Sequence, residues 1–210
     1  PDMGIDFDCY VSCNGAAAEV DGQEIFNDYI PEKELLSLID FMEKEGIGYD
    51  LESADACYVQ EKAVERFQKF IEIFRIPFQE CFSVLKDPRG LKINKILIAF
   101  DTLMQFEHMK EQLSGKYSVI RHHHHFSADV GKAHMSKATG IRAVIEKLNL
   151  DMKNTYAFGD DGNDVEMLTA VGCGIAMTPH ASELDKAANY VTCGVADDGI
   201  YHGLKHFGLI

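Results

Sequence analysis

Phe158-Gly159-Asp160-Asp161-Gly162-Asn163-Asp164 closes the apolar run Thr155-Tyr156-Ala157 and opens onto Val165–Val171. An apolar run too short for a helix, a glycine-bearing acidic turn and then a helical period read as strand, loop and helix. The same alternation extends on both sides. Upstream, Ile141, Val144, Ile145 and Leu148 space as one face of a helix beginning near Lys137; downstream, 174–177 and 189–192 read as further strands with helical segments between them. Such βαβ alternation predicts a parallel sheet. Residues 131–210 are therefore expected to form the C-terminal part of an α/β core, a doubly wound parallel sheet. Ligands gather at the carboxyl ends of strands in such sheets, which is where the acidic turn falls.

Nearer the N-terminus the texture changes. Tyr10-Val11-Ser12-Cys13 reads as a strand running into an Asn14-Gly15 turn, followed by a hairpin pivoting on Asp21-Gly22. Pro31 opens a helix whose face is Leu35, Leu38, Ile39 and Met42 and which Gly46 stops. Extended segments at 49–52 and 57–60 precede a helix carrying Val64, Phe67, Ile71 and Phe74 up to Pro77; Phe67, Phe70, Phe74 and Met42 read as core. A strand from Ile93 to Phe100, a helix from Met104 to Leu113 and an extended run from Tyr117 to Phe126 complete the middle. This mixture of hairpins and helices suggests an inserted α+β domain over 18–130, with 1–17 a partial piece of the core.

Clustered hard oxygen ligands in a tight turn suit Mg²⁺, which takes one or two protein carboxylates and keeps several waters. Asp160 is the first candidate ligand, with Asp164 acting directly or through water. Gly159 and Gly162 permit the close turn, and Asn163 can donate to an anion. The same string also reads as an acidic helix start whose Asp and Asn merely cap the helix.

Five segments in order bear on that choice: Ser136-Lys137-x-x-Gly140, Ala157 to Leu168, Gly174-Ile175-Ala176-Met177, Ala187-Ala188-x-Tyr190-Val191-Thr192 and Asp198-Gly199-Ile200. The series resembles the C-terminal half of Cof-type phosphatases (subfamily IIB) of the haloacid dehalogenase (HAD) superfamily, and Asn14-Gly15-Ala16 resembles that family's strand end leading into its cap. The resemblance implies a HAD-like core with an inserted C2B-type cap that roofs the site and sets specificity. It also implies Mg²⁺-dependent hydrolysis of a small phosphorylated metabolite through an aspartyl-phosphate. Lys137 then matches the lysine that neutralises nucleophile and phosphate, Asp160 the magnesium aspartate, Asn163 the phosphate-facing asparagine and Asp164 the second acid of the loop. A phosphomutase, or a non-catalytic module binding metal or phosphate, stays open as an alternative.

The family opens with an apolar strand and Asp-x-Asp-Gly-Thr. Asp6-Phe7-Asp8 imitates this without the strand and reads as a polar loop, so the nucleophile is expected in a segment before Pro1. Thr178-Pro179-His180-Ala181 stands where the family commonly has Gly-Asn-Ala. His122-His123-His124-His125 falls in the extended run, so alternate imidazoles are expected on opposite sheet faces, solvated, touching substrate or able to take adventitious Zn²⁺ or Ni²⁺ as same-face pairs. With 34 acidic against 20 basic residues, a net charge of −14 disfavours nucleic acid and anionic membranes. The six cysteines form no CxxC pair and read as reduced thiols, and there is no signal pattern, which suggests the cytoplasm. Oligomeric state is not legible.

Overall fold

In a computed structural model of the chain, residues 7–72, 77–122 and 125–210 are described, the side chain of residue 70 excepted. In chain order the elements begin with strands β1 (Cys9–Ser12), β2 (Ala17–Val20) and β3 (Gln23–Asn27). Helix α1 (Glu32–Lys44), β4 (Gly48–Glu52), β5 (Cys57–Val59), α2 (Val64–Ile71), α3 (Phe78–Cys81) and β6 (Phe82–Val84) follow. Then come β7 (Lys95–Ala99), α4 (Leu103–Leu113), β8 (Tyr117–Arg121) and β9 (Ser127–Lys132). The chain ends with α5 (Lys137–Lys147), β10 (Tyr156–Gly159), α6 (Val165–Ala170), β11 (Cys173–Met177), α7 (Leu184–Ala187), β12 (Tyr190–Thr192) and α8 (Gly199–His206). Among the described residues, no helix is long and apolar enough to cross a membrane.

Two compact units result, Pro1–Phe26 with Met135–Ile210, and Asn27–His134. The sequence alone suggests boundaries at 18 and 130; the units divide later at both ends. The β2–β3 hairpin, turning through Asp21 and Gly22 at φ 50° and 73°, packs Ala18 and Val20 against Val144 of α5, which holds it in the first unit. At the other end β9 runs on to Lys132, whose ammonium binds Asp28 at 2.6 Å.

In the first unit β10, β11 and β12 form a parallel sheet in that order. Leu168 of α6, Ala176 of β11 and Leu184 of α7 share its packed interior. The inserted unit is a six-stranded sheet ordered β6-β5-β4-β7-β9-β8. Strand pleat sends alternate residues to opposite faces. Tyr49, Leu51, Ile96, Ile98, Ala128 and Val130 therefore meet α1 and α4, whose Leu35, Ile39, Met42, Phe106 and Met109 complete that core. The other face packs Leu97 and Ala99 with Phe67 of α2. Met42 and Phe67 are core residues, as their helical spacing suggests; Phe74 lies outside the described residues. The strands β6 and β9 carry no sequence signal strong enough to single them out; each acquires its conformation by pairing, β6 with β5 and β9 with both β7 and β8.

His122 does not continue the strand. β8 stops at Arg121, because the chain must turn before β9 can pair back at Arg121↔Ala128, and the His122 N–H bonds Ser127 O at 3.0 Å across that corner. The His122 ring is engaged rather than solvated, with Nδ1 2.9 Å from Ser127 Oγ and Nε2 3.2 Å from Asp129 Oδ2. His123 and His124, and with them the proposed same-face metal pairs, lie outside the described residues.

The second face also buries charge. Lys95 bridges Glu52 at 2.9 Å and Asp129 at 2.7 Å. Asp50, fully buried beside them, has neither carboxyl oxygen in a hydrogen bond of normal geometry. Burial, and after it the Glu52 carboxylate, push its carboxyl up to about 8 against the pull of Lys95. An acid whose pKa rises on folding binds its proton more tightly in the native state, so stability falls as pH climbs from the unfolded value toward 8. Asp50→Asn is therefore expected to flatten the decline in urea midpoint between pH 4 and 8 and to raise stability at pH 8 by ~3 kcal/mol. Parallel pH profiles for the two proteins would contradict this.

Candidate functional site

β10 ends in Gly159, and a 3₁₀ turn over Gly162–Asp164 carries the chain into α6. The turn is built around the buried carboxylate of Asp164. Its Oδ2 accepts the backbone N–H groups of Asp160 at 2.9 Å and Asp161 at 3.1 Å. Its Oδ1 accepts from the Lys137 ammonium at 2.6 Å. A buried carboxylate is costly without such donors. Gly159 is required by the same packing: a Cβ there would stand 2.6 Å from Asp164 Cβ and Cγ. Asp161 closes the turn by accepting the Gly162 N–H at 2.7 Å.

Lys137 is the first residue of α5, following an extended Ser136. Its ammonium also donates to Asn163 Oδ1 at 3.1 Å, and Asn163 Nδ2 donates to Asn14 Oδ1 at 3.3 Å. Lys137, Asn163 and Asp164, singled out in the sequence, thus meet in one hydrogen-bonded group. Asn14 joins them from the other end of the chain. Sequence reasoning reads it as a turn at a strand end that resembles the family's and gives it no role in the site, because Asn-Gly after a strand carries no sign of a distant partner.

Asp160 differs from Asp164 in that its side chain is exposed and its carboxylate bonds no other residue among those described. Its backbone is held on both sides, since its carbonyl accepts the Ala181 N–H at 2.9 Å from the loop after β11. Partial burial, then the carboxylates of Asp164 and Asp161, push its carboxyl above the ordinary range, with Lys137 opposing them. This is a carboxylate set among like charges, and a cation beside it would be favoured. Among the described residues no three His, Cys, Asp or Glu side chains converge as metal-holding groups do. Of the Asp6-Phe7-Asp8 string, Asp6 lies outside the described residues, and the carbonyl of the exposed Asp8 accepts from the Asp21 N–H at 2.9 Å.

The haloacid dehalogenase-like hydrolase family matches the chain over residues 1–204. Phosphatase YwpJ from Bacillus subtilis is 25% identical over 93% of this chain and 78% of its own length. Among solved structures, the HAD subclass IIB sugar phosphatase BT4131 superposes with a TM-score of 0.82 at 25% identity, over 97% of this chain and 76% of that one. Phosphatase BT1666 from Bacteroides thetaiotaomicron gives 0.81 at 27% identity, over 99% and 76%. The chain thus has the HAD fold of these two proteins, the first of them of subclass IIB.

The arrangement around Asp164 makes a stability prediction independent of activity. Asp164→Asn keeps an acceptor for Lys137 but sets an amide NH₂ against two backbone donors. It is expected to lower unfolding stability by ~2 kcal/mol, measured by denaturation at pH 7; no loss would show that the carboxylate does not organise the turn.

Proposed function

The chain belongs to the haloacid dehalogenase-like hydrolase family, and from that premise we propose that it serves Mg²⁺-dependent hydrolysis of small phosphate monoesters through an aspartyl-phosphate. The observation that carries the reading is the Lys137–Asp164–Asn163 group beside the exposed carboxylate of Asp160.

In such a reaction a carboxylate oxygen attacks phosphorus while the bond to the leaving oxygen breaks and that oxygen takes a proton. Water then attacks the aspartyl-phosphate, releasing inorganic phosphate and restoring the carboxylate. The attacking aspartate is a further one, since Asp164 is committed to its own turn. It is proposed to lie in the part of the relatives that this chain, spanning 76% of the two solved structures, does not cover. Lys137 supplies a fixed positive charge to the phosphoryl oxygens, and Asn163 supplies an amide donor. Asp160 is the proposed Mg²⁺ ligand, with Asp164 reaching the ion only through water because both its oxygens are engaged. When bound, the ion neutralises charge on the phosphoryl group.

The inserted unit is proposed as the cap, and its substrate as a sugar phosphate or a cofactor phosphate; BT4131 is named a sugar phosphatase. None of the six cysteines, all of them among the described residues, is in a disulfide, which suits the reducing cytoplasm proposed as the compartment.

The test is turnover of p-nitrophenyl phosphate by the full-length protein, with and without Mg²⁺. Asp160→Ala is expected to lose about 100-fold or more of the Mg²⁺-dependent rate, and a variant as active as the parent would refute the metal assignment.

A further inference from the structure

We infer that Asn14 is a positioning residue, one that orients the Asn163 amide so that this amide and the Lys137 ammonium are presented together. The inference rests on the phosphoryl-site reading above.

Three consecutive residues adopt left-handed backbone, Cys13 at φ 50°, Asn14 at 52° and Gly15 at 89°. For residues other than glycine this conformation is uncommon and costly, though asparagine tolerates it better than most. Tertiary packing holds it in place. A Cβ on Gly15 would lie 1.9 Å from Ser136 O, and one on Gly140 would lie 3.0 Å from the Gly15 Cα and 2.5 Å from Val11 Cγ1. The turn is thus pressed against the start of α5, at the residue immediately before Lys137. From that position Asn14 extends its side chain to the acidic loop.

Hydrogen-bond polarity then decides the orientation of Asn163. A lysine ammonium can only donate, so the Asn163 atom facing Lys137 must be the carbonyl oxygen. The amide nitrogen is left facing Asn14, which meets it with an acceptor oxygen. Turning the Asn163 amide over would set NH₂ against the ammonium and oxygen against oxygen at Asn14. Two contacts therefore select one orientation, where Lys137 alone would supply one. The amide keeps a second N–H, and the ammonium a third, uncommitted among the described residues. These are the donors an anion requires, and they sit on adjacent groups.

The experiment is titration of inorganic phosphate into the protein with Mg²⁺ present, for the parent, Asn14→Gly, Asn163→Ala and the double variant. Glycine carries a positive φ without strain, so the first variant removes the side chain and leaves the turn. Asn14→Gly is expected to weaken phosphate binding about fivefold, the scale of one neutral hydrogen bond, and to have no further effect once Asn163 is alanine. Unchanged affinity in Asn14→Gly overturns the inference. So does an undiminished loss in the Asn163→Ala background, which would mark a structural effect that does not pass through the amide. Failure of the parent to bind phosphate is a separate outcome, overturning the phosphoryl-site reading and this inference with it.

Discussion

One buried carboxylate organises the acidic loop. Asp164 accepts from the backbone of Asp160 and Asp161 and from the ammonium of Lys137, so the end of β10, the start of α6 and the start of α5 converge on a single side chain. The cost of burying that charge is met only if all these donors arrive together. The glycine at 159 and the cap made by Asp161 follow from the same requirement. So does the different condition of Asp160: its backbone is fixed on both sides while its carboxylate stays exposed. The loop sets one acid aside as structure and presents the other.

The inserted unit buries charge differently. Glu52, Lys95, Asp129, His122 and Ser127 form a continuous hydrogen-bonded chain on the sheet face opposite its main apolar core. Burial raises Asp129, yet Lys95 and His122 hold its carboxyl well below the usual range. A carboxylate so placed can only accept, so the His122 Nε2 facing it carries the proton. Asp50 accepts no hydrogen bond of normal geometry, and burial pushes its carboxyl up to about 8; burial raises the Glu52 carboxyl as well, against the pull of Lys95. Pleat alternation explains how both situations arise within the same strands. Asp50 and Glu52 share one face of β4, and Tyr49 and Leu51 the other.

Much of this was legible along the chain. Period 3.6 marked the buried faces of α1 and α2, short apolar runs marked β10, β11 and β12, and the left-handed pair Asp21-Gly22 marked the first hairpin. In each case the signal and the structure lie within a few residues of one another. The misreadings share the opposite property. β9 looks like nothing in particular until β7 and β8 flank it. His122 looked like strand because neither the corner after Arg121 nor the buried carboxylate of Asp129 is visible from the histidine run itself.

The sequence by itself determined the alternation of strand and helix after Lys137, the acidic turn at a strand end, and the resemblance that links Lys137 to Asp160, Asn163 and Asp164. Tertiary structure alone decided which of those acids is buried, where the inserted unit begins and ends, and that Asn14 meets Asn163 across 149 positions of chain. Local pattern encodes backbone conformation because sterics and periodicity act over a turn or two. Burial and hydrogen-bond partnership are settled only when distant segments are brought together, and no spacing along the chain records that.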